Sequence, residues 1–422
     1  MAKIFINFRG GIITPSIFHN ILIAVNKLKV REVRFGLRQQ LLIDMELYNV
    51  AAFTEELDKL QITYEVDSFN YPNVCSSYPA EDVFTRNSWL SEAIYKKVFE
   101  SIDFTPHLKI NICDNNQSIT PILTGNINWM ASPSIEDYWH LIIRFPKTNV
   151  IYEWNMLCHT ENIAFISKTI ESLILENPNK FIDNEAASGD DLFALFKTGD
   201  NKVIPAESPA VLPQFNLPYY EGLNRYNQKY WLGIYRRDEL FNVQFLIKLC
   251  RLCIHTGIAE ICSTSWKSIL IKAIEEKDKE KWNLLLEEFQ INMRHAANEL
   301  NFQVEDNCIE GLNLKTFLVK HLSIDDTRSF GICIGIKTRK KSEVFSSILV
   351  RQKYVIDFLG IRLLKLYDIL IAQDFNPNAR TGEIYSKDNP TFLLPEQLRR
   401  CILKYYHDRA SVVKNTSLKA VK

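Results

Sequence analysis

The sequence predicts an α+β fold built from two pseudo-symmetric halves, and three observations lead to this prediction. Strand-like and helix-like segments alternate along the chain. A segment that begins at Glu32 has a weaker copy that begins at Glu260, 228 residues later. The chain has 422 residues, which is too long for one ordinary core. We therefore predict a first repeat at 1–182, a linker at 183–218, a second repeat at 219–409 and a disordered basic tail at 410–422.

The first half begins with a predicted strand at residues 4–8. Thr14 followed by Pro15 is a helix-start signal, and apolar residues then recur at helical spacing as far as Leu28. Two strands flanking a loop around Arg38, a helix at 53–60 and a strand at 64–66 complete a β-α-β-β-α-β order, which resembles a split ferredoxin-like unit. The α/β layer that follows is predicted to contain a helix at 79–100, strands at 108–113, 126–130 and 139–143, and a helix at 160–175.

The linker is predicted from a run of small and acidic residues and from Pro205, Pro209, Pro213 and Pro218. After it the opening pattern returns. The second half is predicted to contain a strand at 231–235, a helix at 240–254, a loop around Trp266, a helix at 281–300, a strand at 329–336 and a helix at 395–407.

Composition excludes several classes of protein. Fifty basic residues balance fifty acidic ones, so nothing global points to nucleic acid or to an acidic membrane. Nine cysteines are scattered rather than spaced as a disulfide framework, which favours a reduced intracellular protein. The first residues do not form the apolar core of a signal peptide, and no window approaches the length of a membrane span. We therefore expect a cytoplasmic protein.

Arg34 and Arg38 lie four positions apart and could form a cradle for an anion, because each guanidinium offers planar donors that match a carboxylate or phosphate. Lys109 could add a third positive charge from a neighbouring strand. The alternative is that both arginines are exposed and paired with Glu32 or Asp44, since weak surface ion pairs are common.

The order of these elements and loops resembles the siroheme-dependent sulfite and nitrite reductases. That family has an Arg-x-Thr-x-Arg-Gln loop in its first half and a Thr-x-Trp-Gln loop in its second. Here the first loop is Arg34-Phe35-Gly36-Leu37-Arg38-Gln39, with Gly36 at the threonine position. The second is Thr264-Ser265-Trp266-Lys267, with Lys267 at the glutamine position.

Weaker parts of the resemblance lie between the two loops. The family's Lys-x-Lys strand is similar to His107-Leu108-Lys109, with only the second lysine kept. The polar turn after that strand is similar to Cys113-Asp114-Asn115-Asn116, and the Asp-Ile-Gly strand is similar to Asn126-Ile127-Asn128.

The resemblance implies an anionic ligand between the two halves, either siroheme, a related tetrapyrrole or a small oxyanion. It also implies a separate electron carrier of the ferredoxin or rubredoxin type. A porphyrinoid with many carboxylates needs several cations around it. The residues implied to bind it are Arg34, Arg38, Gln39, Lys109, Asn115, Asn116, Trp266 and Lys267. Trp266 could instead fill the interface between the halves.

The cysteines depart from the family pattern. The family holds a four-iron cluster with four thiolates in a Cys-x5-Cys and Cys-x3-Cys arrangement, whereas here Cys308 and Cys333 have no partner at that spacing. A four-iron cluster is therefore not expected, and the paired knuckles of a rubredoxin module are not visible either. Two hypotheses follow: a diverged redox protein that binds an anionic ligand, or a non-catalytic descendant that serves as a binding or scaffold subunit.

Other motifs in the sequence give weaker indications of function. Cys250 and Cys253 form a CxxC within a predicted helix, where packing in the core is favoured over metal binding. Cys158 beside His159 lacks further ligands. Gly10-Gly11 lacks the spacing of a nucleotide-binding loop. The basic run at 337–341 is either a solvated loop or a docking patch for an acidic electron carrier.

Overall fold

The computed structural model describes the chain except for residues 85–88, 117–118, 198–200, 213–221, 293–298, 340–343, 359–360, 380–381 and 421–422. Contacts divide the chain into two compact units. Unit 1 comprises the described residues between 1 and 292, and unit 2 comprises the described residues between 299 and 420. Parts of the predicted linker, of the helix predicted at 281–300 and of the basic run at 337–341 lie outside the described residues.

Unit 1 begins with the predicted ferredoxin-like order. Its elements are β1 (Ala2–Asn7), β2 (Ile12–Ile13), α1 (Pro15–Lys27), β3 (Glu32–Phe35), β4 (Gln40–Met45), α2 (Leu47–Lys59) and β5 (Glu65–Val66). Pro15 occupies the first turn of α1, as its sequence predicts. One face of α1 is buried because Phe18, Ile21, Leu22 and Val25 recur at helical spacing.

A second ferredoxin-like set follows after residue 221. Its elements are β12 (Leu223–Tyr226), β13 (Lys229–Ile234), β14 (Phe241–Asn242), α7 (Val243–His255), β15 (Ile261–Ser263), β16 (Ile269–Ile274) and α8 (Lys279–Glu288). The 228-residue offset takes Pro15 to Val243 and Lys27 to His255, so α1 and α7 have matching bounds. The predicted duplication therefore extends to individual helix ends.

The two sets exchange short edge strands. β14 pairs with β3 through Phe241 and Val33, and β2 pairs with β15 through Ile13 and Ile261. These two contacts are related by the same offset. The resulting sheets have the orders β14-β3-β4-β1-β5 and β12-β13-β16-β15-β2, and one hydrophobic core contains residues from both sets. Neither set has a complete sheet or core without the other.

The α/β layer of unit 1 is a six-stranded sheet. Its strands and helices are β6 (Cys75–Ser76), α3 (Glu92–Ser101), β7 (Ile110–Cys113), β8 (Ile127–Ala131), β9 (Tyr138–Arg144), β10 (Ile151–His159), α4 (Ile163–Glu176), α5 (Pro178–Phe181), α6 (Gly189–Leu195) and β11 (Val203–Pro205). The order is β11-β10-β9-β8-β7-β6, with β6, β7 and β8 parallel and the remaining pairs antiparallel.

Unit 2 has a sheet of the same kind. It contains β17 (Phe302–Val304), α9 (Ile309–Ile324), β18 (Ile334–Lys337), β19 (Ile348–Phe358), β20 (Ile361–Ala372), β21 (Gly382–Asn389) and α10 (Leu394–Ala420). β17, β18 and β19 are parallel, and β20 and β21 continue antiparallel. The helix α9 and the hairpin β19–β20 were not predicted from the sequence.

Three expectations need correction. The helix predicted at 79–100 is a single 3-10 turn at Tyr78–Ala80 and a later helix, α3, that begins at Glu92. The predicted linker contributes α6 and β11, and β11 pairs with β10 through Ile204 and Leu157. The tail predicted to be disordered from residue 410 continues α10 as far as Ala420.

The compact units also differ from the predicted repeats, because the shared core holds residues 223–291 against the first half. No helix in the described ranges is both long enough and apolar enough to span a bilayer.

Candidate functional site

The two predicted loops have the same backbone geometry. In the first, the amide of Gly36 donates to Gln40 O at 2.8 Å and that of Gln39 to Gly36 O at 3.0 Å. In the second, the amides of Thr264 and Lys267 make the equivalent bonds to Ser268 O and Thr264 O, at 2.9 and 3.1 Å. Gln39 and Lys267 both have positive φ, 59° and 55°. The turn therefore places equivalent side chains, Gln39 and Lys267, in equivalent positions.

The loops lie side by side within unit 1. Gln39 is fully buried, and its Nε2 donates to Ser263 O and to Ser76 O, both at 3.0 Å. Its Oε1 accepts from the amide of Ser76 at 2.8 Å. Trp266 is also buried, and its indole Nε1 donates to Ile119 O at 2.7 Å. The pair of loops thus forms a closed polar junction between the two ferredoxin-like sets and the first α/β layer.

Arg38 lies at the centre of this junction. The residue is 4% exposed, and its guanidinium donates to Asn73 O at 2.7 and 3.1 Å, to Ile110 O at 3.0 Å and to Asn111 Oδ1 at 3.1 Å. Burial lowers the pKa of this guanidinium from its usual value. Four hydrogen bonds to uncharged acceptors fix Arg38 as a link between β4, β7 and the segment before β6.

Lys267 makes the second buried charge contact. Its Nζ lies 2.7 Å from Glu239 Oε2, and both side chains are 4% exposed. The offset relates Glu239 to Gly11, and both residues have positive φ, 60° and 80°. A Cβ atom on Gly11 would lie 2.6 Å from Gln39 Nε2, so Gly11 leaves the space that Gln39 uses. At these equivalent positions the second half has the ion pair between Lys267 and Glu239, whereas the first half has the Gln39 amide against Gly11.

Arg34 does not join Arg38. Its Nη1 forms an ion pair with Asp44, and its side chain lines an open cleft on the outer face of β3 and β4. The Arg34 Nε is buried without a hydrogen-bond partner among the described residues. Pairing with Asp44 was the alternative that the sequence left open for Arg34.

The remaining predicted residues surround the junction at different depths. Lys109 is half-buried, and its amide donates to Asn126 Oδ1 at 3.2 Å. Asn115 is half-buried and Asn116 is exposed, in the turn after β7, where the amide of Asn116 donates to Asp114 Oδ1 at 2.7 Å. The sequence suggested that Arg34, Arg38 and Lys109 converge on one cavity. In the structure Arg34 lines the cleft over β3 and β4, whereas Arg38 is buried at the junction.

Sequence reasoning missed Asn73 and Asn111, whose oxygen atoms accept from Arg38 and whose side-chain amide groups donate within the junction. The Asn73 Nδ2 donates to Phe8 O at 2.7 Å and to Arg38 O at 2.8 Å. Asn111 Nδ2 donates to Ile122 O at 2.9 Å. Glu239 could have been found from the 228-residue offset to Gly11, whereas nothing in the local sequence marks Asn73 or Asn111 as partners of Arg38.

All nine cysteines are buried thiols, and none of them forms a disulfide. Cys250 and Cys253 belong to the shared core of unit 1, where the CxxC was expected to pack. Burial raises the pKa of Cys158 to about 12, and it also raises the pKa of Cys113 well above its usual value. In unit 2 the Sγ of Cys308 accepts from the amide of Gly311 at 3.3 Å, and Cys333 Sγ contacts Phe345 O at 2.9 Å. The Cys308 thiol therefore caps the first turn of α9, and the other buried thiols contribute to packing.

Two of the residues implied to hold siroheme, Arg38 and Lys267, are engaged with the chain itself. Arg38 donates from Nε and Nη2 to main-chain and amide oxygens, and Lys267 is bound to Glu239, so both charges already have partners within the chain. Among the described residues no three His, Cys, Asp or Glu side chains converge as metal ligands.

Comparison with known proteins is informative at the level of structure. No protein-family model and no curated protein matches the sequence. Among solved structures, the Mycobacterium tuberculosis NirA protein matches with a TM-score of 0.72 and 12% identity, over 94% of this chain and 79% of that chain. Together with the duplicated sheets described above, this likeness shows the fold: an α+β chain of two pseudo-symmetric halves, each a ferredoxin-like unit with a sulfite/nitrite reductase-like α/β layer.

Proposed function

We propose that this chain is a non-catalytic descendant of the sulfite/nitrite reductase fold that serves as a binding or scaffold protein. The observation that carries the proposal is that the chain itself binds the Nε and Nη2 donors of Arg38. All its hydrogen bonds given above go to the chain's own carbonyl and amide oxygens, and its exposed fraction is 4%.

Energetics support the same conclusion. The Nε and Nη2 groups of Arg38 already have good acceptors, and an external anion could bind them only if those bonds were broken. The same argument applies to Lys267, because removing it from Glu239 would leave a buried carboxylate without that charge partner. An external ligand at the loops would therefore have to offset the loss of several internal bonds.

The alternative is a redox protein that binds siroheme, a related tetrapyrrole or a small oxyanion and receives electrons from a ferredoxin- or rubredoxin-type carrier. Its support is the fold likeness and the adjacency of the two loops. Lys109 and Asn116, which lie nearer the surface, would have to supply the contacts that Arg38 and Lys267 do not.

Absorbance and metal analysis separate the two. The full chain is produced in cells that make siroheme, purified without oxygen, and compared with a siroheme-containing reductase prepared in the same way. We expect no band beyond the protein absorbance, and iron and acid-labile sulfide well below one equivalent. A Soret-like band with a red-region band and stoichiometric iron would establish the alternative. A rise in melting temperature with sulfite or nitrite that Lys109→Ala abolishes would favour the small-oxyanion version.

A further inference from the structure

The outer face of the first ferredoxin-like sheet is an open cleft, whereas the equivalent face of the second sheet is covered by the chain itself. The cleft has a volume of about 590 Å³. It lies over β3 and β4, and its lining includes Glu32, Arg34, Asp44 and Tyr48. A volume of this size is within the range of natural binding sites.

The covered face shows what such a surface binds. Glu260 lies beside β15 and accepts a hydrogen bond from Tyr78 Oη. It also forms an ion pair with Lys96, whose Nζ lies 2.6 Å from Glu260 Oε1. Lys272 on β16 places its Nζ 4.2 Å from the centre of the Tyr78 ring. Tyr78 and Lys96 come from the connection between β6 and α3 and from α3 itself. A carboxylate and a cation on neighbouring strands thus hold a tyrosine-bearing segment.

The open face carries a carboxylate at the position equivalent to Glu260, and it carries a cation at a different position. The offset relates Glu260 to Glu32 and Lys272 to Asp44. Arg34 on β3 pairs with Leu42 on β4, and the same register continued by two residues would bring Glu32 across from Asp44. Arg34, which pairs with Asp44, supplies the cation on this face. Glu32 is exposed, whereas the side chain of Glu260 is 16% exposed.

The two halves also differ in the length of one connection. The segment that covers Glu260 belongs to residues 77–101, and the connection from β6 to α3 occupies residues 77–91. In the second half the corresponding connection, from β17 to α9, occupies only residues 305–308. Along the described chain the second half therefore has no counterpart of the covering segment.

We propose that the cleft at Glu32 and Arg34 is a docking site for a tyrosine-bearing segment of a partner protein. The tyrosine hydroxyl donates to Glu32, as Tyr78 does to Glu260, and its ring lies against the Arg34 guanidinium, as that of Tyr78 lies against Lys272. Lys29 and Arg31, both exposed at the rim, suit acidic residues beside that tyrosine. This proposal deepens the proposed scaffold function and rests on it.

The test uses the full chain and a fluorescently labelled peptide of residues 76–101 as the probe, because this sequence covers the equivalent face. We expect saturable binding with a Kd of about 10–100 µM by fluorescence anisotropy. Glu32→Lys should weaken it by about tenfold or more, because a charge reversal removes the acceptor of the phenol. Tyr78→Phe in the peptide should also weaken it several-fold. Lys59→Ala, on α2 outside the lining of the cleft, is the matched control and should change nothing.

Several outcomes would overturn the proposal. These are an absence of saturable binding up to about 1 mM, or equal binding by the wild type and Glu32→Lys. Loss of binding with Glu260→Gln but not with Glu32→Lys would mean that the probe replaces the resident segment. A concentration-dependent dimer that Glu32→Lys disrupts would identify a second copy as the occupant. The absorbance test above has no bearing on this cleft, so failure of one proposal is distinguishable from failure of the other.

Discussion

Arg38 shows how a buried cation can be stabilised without a carboxylate. Its guanidinium donates to the carbonyls of Asn73 and Ile110 and to the side chain of Asn111. Hydrogen bonds that involve a charged group are stronger than neutral ones, and they are shared here among three segments. Arg38 is thus a structural centre of unit 1.

Replacing Arg38 tests this role. Arg38→Met should lower the free energy of unfolding by about 3 kcal/mol, because several buried acceptors lose their donor. Urea denaturation followed by circular dichroism measures the change. Arg31→Met, at an exposed position, is the control and should stay within about 0.5 kcal/mol of the wild type. Equal losses for the two variants would contradict the role of Arg38.

The Lys267–Glu239 pair makes a prediction about coupling. Lys267→Met should cost about 3–5 kcal/mol, because it leaves a buried carboxylate without its ammonium partner. The double variant Lys267→Met with Glu239→Gln should recover at least half of that loss. A double-mutant cycle on unfolding free energies measures the coupling, and additive effects would show that the two side chains are energetically independent.

The buried thiols predict a loss of stability in alkali. Burial raises the pKa of Cys262 to about 12 and that of Cys158 to about 12. Above pH ~8.5 the unfolded thiols ionise while the folded ones keep their protons, so stability is present below that pH and falls as the pH rises towards 12. Each such thiol contributes a slope of about 1.4 kcal/mol per pH unit.

Urea titrations between pH 8 and about 10.5 measure this slope. In Cys262→Ala the unfolding free energy should fall less steeply with pH, by the slope of one thiol, about 1.4 kcal/mol per pH unit. A decline that is identical in the variant and the wild type would mean that Cys262 does not keep its proton in the folded state.

At the scale of elements, the tight turn after β1 joins the two halves. Gly10 and Gly11 have φ of 66° and 80°, and β2 follows at once to pair with β15. Gly11 lies directly against Gln39 and Ser263 O. The turn therefore needs both a left-handed backbone and the absence of a side chain.

Gly11→Ala should cost about 3 kcal/mol, because a Cβ would lie 2.6 Å from Ser263 O in a left-handed conformation. Gly257 is a matched control. It has φ of 73° and no atom within 4 Å of an added Cβ, so Gly257→Ala should cost only about 1 kcal/mol of backbone strain. Thermal unfolding of both variants gives the comparison, and a smaller loss at Gly11 than at Gly257 would refute the packing argument.

At the scale of the whole molecule, sequence repeats and folding units differ. The predicted first repeat ends at residue 182, but the core around α1 includes Phe241, Leu246 and Ile269 from the second repeat. Phe241 packs edge-on against Phe35 with ring centres 4.9 Å apart. A chain cut at the repeat boundary would expose this core.

Fragments test the point. Residues 1–296 should be soluble and unfold cooperatively, because they include both exchanged strands and the whole shared core. Residues 1–182 should aggregate or lack a cooperative transition, since β3 loses β14 and α1 loses α7. A cooperative transition in the shorter fragment would contradict the shared core.

Much of this architecture follows from local sequence. Pro15 and the helical spacing of apolar residues define α1, and the 228-residue offset relates α1 to α7 and the Arg38 loop to the Trp266 loop. The helix α9 was missed because its apolar residues do not mark one face: Ile309 and Ile324 are each 70% exposed while Lys315 is 2% exposed. Such a pattern has no clear period.

The sequence by itself determined the α+β class, the duplication and the loop between β3 and β4, because backbone preferences and side-chain periodicity act over a few neighbouring residues. Only the tertiary structure decided that β2 and β14 exchange sheets, that Arg38 is buried among Asn73, Ile110 and Asn111, and that Arg34 faces a separate cleft. Those outcomes depend on contacts between residues tens to hundreds of positions apart. No local pattern encodes them, since the same arginine is compatible with a surface ion pair or with a buried set of carbonyl acceptors.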